Sequence, residues 1–170
     1  DALLPSNSFE ETNMNIIGLN ATQVRTAAES PEFQVGTVGR DDYSGYLYKY
    51  VKYNVGAGAV AAVVGNFAYY YAPSGASAGA FTEVTSDLSD SAGVGAGVLQ
   101  AVIATGGYGW IQITGYAVLA AALTAGADGN ALTPVGSTDG ALDVSAAVTD
   151  HVCAIAIDAS AKKVFLTCPL

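Results

Sequence analysis

The side chains with the clearest potential for chemistry in this sequence are one histidine and a few carboxylates. His151 follows Asp150 and precedes an apolar stretch. A Ser-His-Asp catalytic arrangement needs a serine nucleophile presented on a sharp turn, and we assign no such serine here. We therefore interpret His151 as a hydrogen-bonding residue at a strand edge, and we expect no catalytic residue in the chain.

Three acidic stretches have some resemblance to metal sites. Asp41 and Asp42 are adjacent, so on a strand they would point to opposite faces instead of converging. Asp128-Gly-Asn130 and Asp139-Gly140 resemble fragments of calcium loops, but neither supplies the series of oxygen ligands and the bidentate glutamate that such loops use. Asp, Asn and Gly are also the residues that turns prefer. We expect turns at these positions, with no bound metal and no cofactor.

The two cysteines, Cys153 and Cys168, are too few for a zinc site, which takes about four ligands. They lie in two apolar runs that are typical of the strands of a hairpin. With a turn centred on Ser160-Ala161, the alternation predicts two buried faces that oppose each other: Cys153, Ile155 and Ile157, and Val164, Leu166 and Cys168. The cysteines would then be cross-strand neighbours able to form a disulfide. Two reduced core thiols are the alternative, which we favour because proteins made in the cytoplasm usually stay reduced.

The composition indicates that other protein surfaces cover part of this one. Of the 170 residues, 51% are hydrophobic and only 12% are charged, against about 25% charged residues in typical soluble domains. The net charge is −9 and the six basic residues form no continuous stripe, which argues against binding to nucleic acid or to anionic membranes. The longest apolar stretch, residues 55–72, is interrupted by glycines, so we expect strands there and no membrane-spanning helix.

From Phe33 onward, short apolar stretches alternate with glycine-rich turns. In residues 46–53 both faces carry bulky side chains, so we expect a strand that is covered on both sides. Residues 98–104 and 108–114 flank Gly106-Gly107 and predict a hairpin. We interpret residues 82–88 as a polar connection. The predicted fold class is all-β: a small β-barrel or sandwich of short antiparallel strands over residues 33–170.

Residues 1–32 differ from the rest of the chain and are predicted to form an extended N-terminal arm. Their first half shows no strand period and is rich in Asn, Thr and Glu. A short helix is expected over residues 22–30, ended by Pro31. A poorly ordered terminus is the alternative interpretation.

The chain contains ten tyrosines. Tyrosine buries a large area while keeping a polar hydroxyl, which suits protein interfaces and also surfaces that stack on sugars. Ordinary packing between strands is the alternative explanation for any of them.

Two stretches of the sequence form a more specific pattern. The first is Phe33-Gln-Val-Gly-Thr37 followed, after a turn, by Tyr46-Leu-Tyr-Lys-Tyr50. The second is Gly106-Gly-Tyr-Gly-Trp-Ile-Gln-Ile-Thr-Gly115. Over about residues 33–170, the chain resembles the head-decoration, or capsid cement, proteins of tailed bacteriophages.

The resemblance implies a structural protein of the virion that is not an enzyme. Such proteins are typically compact β-barrels, often homotrimers, that bind the major capsid protein on the outer surface of the head and stabilise it. The chain would be made in the host cytoplasm. We expect the arm to contact the capsid through six residues: Ala2, Leu3, Leu4, Phe9, Ile16 and Ile17. We assign five others to the barrel core or to a self-association interface: Tyr46, Tyr48, Tyr108, Trp110 and Gln112.

Three other functions remain open at this point. A carbohydrate-binding or adhesin-type β module would use the tyrosines as a stacking surface. Another virion part, such as a tail or spike subunit, would have a similar fold and differ in its location. An enzyme of unknown class would need converging polar residues, which we do not identify.

Overall fold

The computed structural model describes residues 19–72, 81–123 and 126–170, which form an all-β fold. The predicted fold class, a small barrel of short strands, is confirmed. Within these residues there is one short 3₁₀ turn, Leu88–Asp90, and no helix long and apolar enough to cross a membrane. The described residues form eleven strands: β1 (Val38–Arg40), β2 (Leu47–Tyr53), β3 (Phe67–Tyr71), β4 (Glu83–Thr85), β5 (Ser91–Leu99), β6 (Tyr108–Gln112), β7 (Thr114–Val118), β8 (Ala131–Thr133), β9 (Asp143–Val144), β10 (Ala154–Asp158) and β11 (Lys163–Thr167).

Five strands close into a barrel. The hydrogen-bonded order is β2-β4-β3-β5-β6 and back to β2, while β1 pairs with the first half of β2. The β2–β4 pair is parallel, with Lys52 opposite Glu83, and the other pairs are antiparallel. Closure pairs the edges that an open sheet would leave available to other chains.

Strand β4 corrects our interpretation of residues 82–88 as a polar connection. Glu83–Thr85 pairs with both β2 and β3 and so completes the barrel. Val84 and Thr85 are fully buried. The stretch is polar in sequence and still buried, because its buried polar groups are hydrogen-bonded inside the protein. The Thr85 hydroxyl, for example, accepts a hydrogen bond from the backbone N–H of Asp87 at 2.9 Å.

The hairpin expected over residues 98–104 and 108–114 is shorter than predicted. β5 ends at Leu99, and β5 and β6 pair only through Val98 with Gln112 and Leu99 with Ile111. Residues 100–107 form the connection, in which the backbone N–H of Gly107 bonds to the carbonyl of Ala104 at 2.9 Å.

The second sheet packs against the barrel and shares its core. Its order is β7-β11-β10-β8-β9, with every pair antiparallel. Gly95 of β5 allows this close approach, because a Cβ at that position would lie 2.6 Å from the Cys153 sulfur. Five residues of the second sheet are buried in the main core: Leu132, Ala154, Ala156, Val164 and Leu166.

The register of the last hairpin differs from our prediction by one residue. Val164 and Leu166 are buried as expected, but they lie opposite Ala156 and Ala154. The alternation of β10 is therefore the reverse of the predicted one, and two residues expected in the core point outward: Ile155 and Ile157. Both faces of β10 are apolar, so the period alone did not show which face is buried, and a slip of one residue exchanges the faces.

A second buried cluster lies on the other side of the barrel wall. It consists of Tyr48, Tyr50 and Trp110 on strands β2 and β6, with Leu19 and Phe33 packed against it. The Phe33 ring centroid is 5.5 Å from that of Tyr50 and 5.3 Å from that of Trp110. Strand β2 is thus covered on both faces, as predicted, because its alternate residues lie in the main core: Val51 and Tyr53.

Residues 19–32 pack on the barrel without the helix expected over residues 22–30. The backbone N–H of Arg25 donates a hydrogen bond to the carbonyl of Tyr108 at 2.9 Å, and the N–H of Tyr108 donates one to the carbonyl of Arg25 at 2.8 Å. The Glu29 carboxylate accepts hydrogen bonds from the backbone N–H and the hydroxyl of Thr26. The helix prediction was wrong because these side-chain and cross-strand bonds satisfy the backbone in a non-helical conformation.

Candidate protein-binding face

The outward side of the second sheet carries a continuous group of exposed apolar residues. We call it the outer face, and it spans β7, β11 and β10, with Lys163 among the apolar residues. The alternation of these strands sends one set of side chains into the core and the other into solvent. The exposed fractions of the apolar members are 57% for Tyr116, 59% for Val118, 41% for Ile155, 44% for Ile157 and 36% for Phe165. Single exposed apolar residues are common, but a contiguous group indicates a binding surface.

The strand register aligns these side chains in a row. Phe165 lies directly opposite Tyr116 on one side, and Ile155 lies opposite Phe165 on the other. Ala131 of β8 extends the row. The rings of Tyr116 and Phe165 meet edge to face, with centroids 5.1 Å apart and planes at 83°, which is a favourable aromatic geometry.

The outer face has a rigid support. Alternate residues of β10 and β11 are anchored in the core, and cross-strand hydrogen bonding holds the three strands together. The backbone of the face is therefore ordered before any partner arrives. Binding to such a surface requires little ordering of the chain, which favours affinity.

One cation lies on the outer face. Lys163 is exposed and stands directly opposite Val118, and the two line a shallow groove together with Tyr116 and Ala117. Among the described residues no carboxylate forms an ion pair with Lys163. The Asp158 carboxylate, opposite Lys163, accepts hydrogen bonds from Ser160 and Ala161 in the β10–β11 turn, and these bonds together with the charge of Lys163 lower its pKa.

Gln112 closes the free edge of the second sheet. Strand β7 is an edge strand, yet the Gln112 side-chain amide donates hydrogen bonds to the carbonyl oxygens of Thr114 and Tyr116, each at 2.9 Å. Two of the groups that another strand would use are therefore occupied. Addition of a further strand at this edge is therefore disfavoured.

The residues assigned to a core or to self-association occupy three different environments. Trp110 and Tyr48 lie in the second buried cluster, and Gln112 is buried at the β7 edge. Tyr46 and Tyr108 are half-buried around that cluster. The six residues proposed to contact a capsid, Ala2, Leu3, Leu4, Phe9, Ile16 and Ile17, lie outside the described residues.

The two cysteines are free thiols, buried and adjacent. The Cys168 sulfur lies 3.5 Å from the carbonyl oxygen of Cys153. A hydrogen bond with the Cys168 side chain, together with burial, raises the pKa of Cys153 well above its usual value. Such thiols are poor nucleophiles at neutral pH.

The acidic stretches serve as turns. The Asp41 carboxylate accepts hydrogen bonds from Ser44 and from the backbone N–H of Tyr43, and these bonds lower its pKa. Asp128 accepts a bond from the backbone N–H of Ala159. In the part of the chain that the structure describes, no three metal-ligating side chains converge.

His151 has no identified catalytic partner. Its Nδ1 atom is buried and makes no hydrogen bond within the described residues. Our sequence analysis assigned no such serine, but this was wrong for the sequence itself, because residues 75–79 match the Gly-x-Ser-x-Gly pattern of some hydrolases; they lie outside the described residues. That motif acts between a strand and a helix, whereas the chain resumes at Phe81 with a turn and strand β4.

Sequence reasoning missed the outer face. The sequence does contain an indication of it: residues 153–157 and 163–166 are largely apolar on both alternating faces of their strands. A strand with only one buried face needs apolar residues on that face alone.

Comparison with known proteins found no match: no family model fits the chain, and no curated protein or solved structure is significantly similar to it. Function is therefore inferred from the residues and geometry described above.

Proposed function

We propose that this chain is a structural virion protein that binds the outer surface of a phage head and stabilises it. The observation that carries the proposal is the exposed apolar outer face on a chain with only 12% charged residues. Burying apolar surface contributes about 25 cal/mol per Å². A protein lattice is a partner that can supply such cover at many equivalent positions.

The shape of the site supports a large protein partner over a small ligand. The groove beside Tyr116 is shallow and lies on a broad sheet face. Small molecules usually bind in concave pockets that enclose most of their surface. A flat, rigid, apolar face instead matches the centre of a protein–protein interface.

The proposal includes the major capsid protein as partner, self-association as a homotrimer, and capsid contact by the N-terminal residues 1–18. The net charge of −9 per chain makes separate trimers repel one another in solution. Binding at many sites on one shell would then compensate for weak individual contacts.

Co-sedimentation with expanded empty heads of the encoding phage tests the proposal. We expect saturable binding by the full chain and weaker binding by Tyr116→Ser and Val118→Ser. Val102→Ser is the matched control, because Val102 is 65% exposed and lies on the β5–β6 connection, outside the three strands of the outer face. A variant lacking residues 1–18, the part of the predicted arm that holds its six proposed capsid-contact residues, measures the contribution of that part.

The same experiment separates the competing functions. Absence of binding by the full chain, with the fold intact by circular dichroism, would overturn the capsid proposal. A glycan-binding module would instead bind oligosaccharides as an isolated protein. Only Tyr43 and Tyr116 of the described tyrosines are largely exposed, which leaves little aromatic surface for sugars. A tail or spike subunit would be distinguished by labelling virions and locating the chain.

A further inference from the structure

We propose that Cys153 and Cys168 form a redox-sensitive dithiol, which a peroxide converts to a disulfide that closes the end of the last hairpin. They are the only two cysteines in the chain, so a thiol that is oxidised within one molecule has a single partner there. The inference is independent of the proposed function and concerns the chemistry of these two sulfurs alone.

The irregular start of β10 places both thiols on the same side. Thr167 lies across from Cys153, and its backbone N–H donates a hydrogen bond to the Cys153 carbonyl at 2.9 Å. Strict alternation from the buried Ala154 would turn Cys153 outward. Cys153 is nevertheless as fully buried as Ala154, since the regular strand begins only at Ala154. Cys168 continues the alternation of β11 and is buried as well.

The two thiols are in contact without being bonded. The Cys168 sulfur lies 3.5 Å from the carbonyl oxygen of Cys153, and a hydrogen bond joins the two thiol groups. A disulfide brings its sulfurs to about 2.05 Å. Because the two backbone segments already lie side by side, the bond requires rotation of the side chains and not a rearrangement of the strands.

A disulfide at this position would fix the hairpin where the second sheet meets the barrel. The Cys153 backbone N–H donates to the carbonyl of Leu132 on β8, and that of Cys168 donates to the carbonyl of Ile113, between β6 and β7, each at 3.0 Å. The covalent loop would enclose β10 and β11 and restrict the unfolded chain. It would also oppose local opening of the hairpin end.

Hydrogen peroxide supplies a complete reaction. The sulfur of Cys168, which is 6% exposed against 0% for Cys153, attacks one peroxide oxygen, the O–O bond breaks, and a sulfenic acid and one water form. The Cys153 sulfur then attacks the Cys168 sulfur, the S–O bond breaks, and the second water leaves with the remaining thiol proton. Two thiols and one peroxide thus give one disulfide and two waters, and two electrons pass from sulfur to oxygen.

Burial sets the rate of this reaction. The thiolate is the nucleophilic form of cysteine, and both sulfurs are shielded from solvent. Oxidation is therefore slow and proceeds through opening of the hairpin end. The reductants of a cytoplasm maintain the dithiol form, whereas a chain outside such a compartment meets oxidants.

Intact mass measured over hours after addition of hydrogen peroxide to the folded, reduced chain tests the inference. Met14→Leu is the parent for every variant, because Met14 is the only methionine and would itself take up oxygen. We expect a monomer lighter by about 2 Da, the mass of the two thiol hydrogens, and recovery of the original mass with dithiothreitol. The oxidised chain should show an unfolding equilibrium constant roughly ten- to hundredfold lower in urea, as for a closed loop of about 15 residues.

The matched control moves one thiol by one position. Thr167→Cys combined with Cys168→Ser keeps two cysteines and nearly the same loop, but places one thiol on the exposed side of β11. We expect this variant to gain oxygen or to form covalent dimers, without loss of two hydrogens. Cys168→Ala, which leaves Cys153 without a partner, should also lose no hydrogens.

The parent chain alone decides the inference, even if a variant fails to fold. Oxygen addition to its cysteines, covalent dimers or the absence of any reaction would overturn the proposed dithiol. A disulfide that raises the unfolding equilibrium constant, or one that forms equally fast in the folded control variant, would overturn it as well.

Discussion

The amine of Lys49 lies 2.9 Å from the hydroxyl oxygen of Tyr70, and both side chains are buried. Lys49 is only 4% exposed, and no carboxylate pairs with it among the described residues. Burial therefore lowers its pKa below the usual value of 10.5. In the unfolded chain the same amine binds its proton more tightly.

The stability of the fold should consequently rise with pH between the lowered pKa of Lys49 and 10.5. In that window the unfolded state binds more protons than the folded state, so the free energy of unfolding increases by up to about 1.4 kcal/mol per pH unit. We expect the free energy of urea unfolding to have a more positive pH slope in the wild type than in Lys49→Met, because the opposite contribution of the buried Cys153 thiol, whose pKa is raised, is the same in both. Lys52→Met, a partly exposed lysine, should keep the wild-type slope.

The measurement stays below pH 10 because burial raises the pKa of Tyr70. Above that pH the tyrosine would ionise in the unfolded chain before it does in the folded one, and the free energy of unfolding would fall. An identical pH slope in the wild type and in Lys49→Met would contradict the assignment of the effect to Lys49.

Loss of the Gln112 amide should weaken the fold and open the β7 edge. Gln112→Ala leaves the carbonyls of Thr114 and Tyr116 without their side-chain donor, which costs about 1–3 kcal/mol in the free energy of unfolding. We also expect concentration-dependent association, measured by light scattering, because an unpaired edge is a template for another strand.

Gln100→Ala is the matched control for the edge. The Gln100 amide donates a single bond, to the carbonyl of Val98 at 2.9 Å, and its removal leaves the β7 edge closed. The proposed role of Gln112 fails if both variants lose the same stability and neither associates.

Both cysteines should be unreactive until the protein unfolds. Cys153 and Cys168 are 0% and 6% exposed, and the pKa of Cys153 is raised. We expect 5,5′-dithiobis-(2-nitrobenzoate) to label neither thiol in the native protein and both in guanidinium chloride. Labelling of no thiol in denaturant, followed by labelling after reduction, would instead reveal a disulfide between them.

Phe33 should control the environment of Trp110, the only tryptophan in the chain. Phe33→Ala removes a ring 5.3 Å from the indole. We expect a red shift of the fluorescence emission and a loss of about 1–3 kcal/mol in unfolding free energy, as for a partly buried aromatic residue. Tyr43→Ala, at a fully exposed position, should change neither quantity.

An unchanged emission maximum in Phe33→Ala would mean that Phe33 does not shield Trp110 in solution. The packing of residues 19–33 on the barrel would then need revision, whereas the barrel itself would not.

The sequence by itself determined the fold class and where several strands lie. Residues 46–53 were recognised as a strand covered on both faces because tyrosine, valine and leucine alternate without a polar side, and Tyr50 and Val51 are indeed buried on opposite sides. The low charge also predicts contacts with other proteins, and this stays a prediction. These properties depend on local sequence or on composition, so they can be predicted without knowing which strands pair with one another.

Only the tertiary structure decided which face of an apolar strand is buried. The period of β10 is the same whether Ile155 or Ala154 points inward, and the pairing with β11 and β8 selects Ala154. Strand β4 and the non-helical segment around Arg25 depend in the same way on distant partners, namely β2 with β3 and Tyr108. Register and closure arise from contacts between residues far apart in the chain, and the outer face exists because those contacts leave its apolar side chains uncovered.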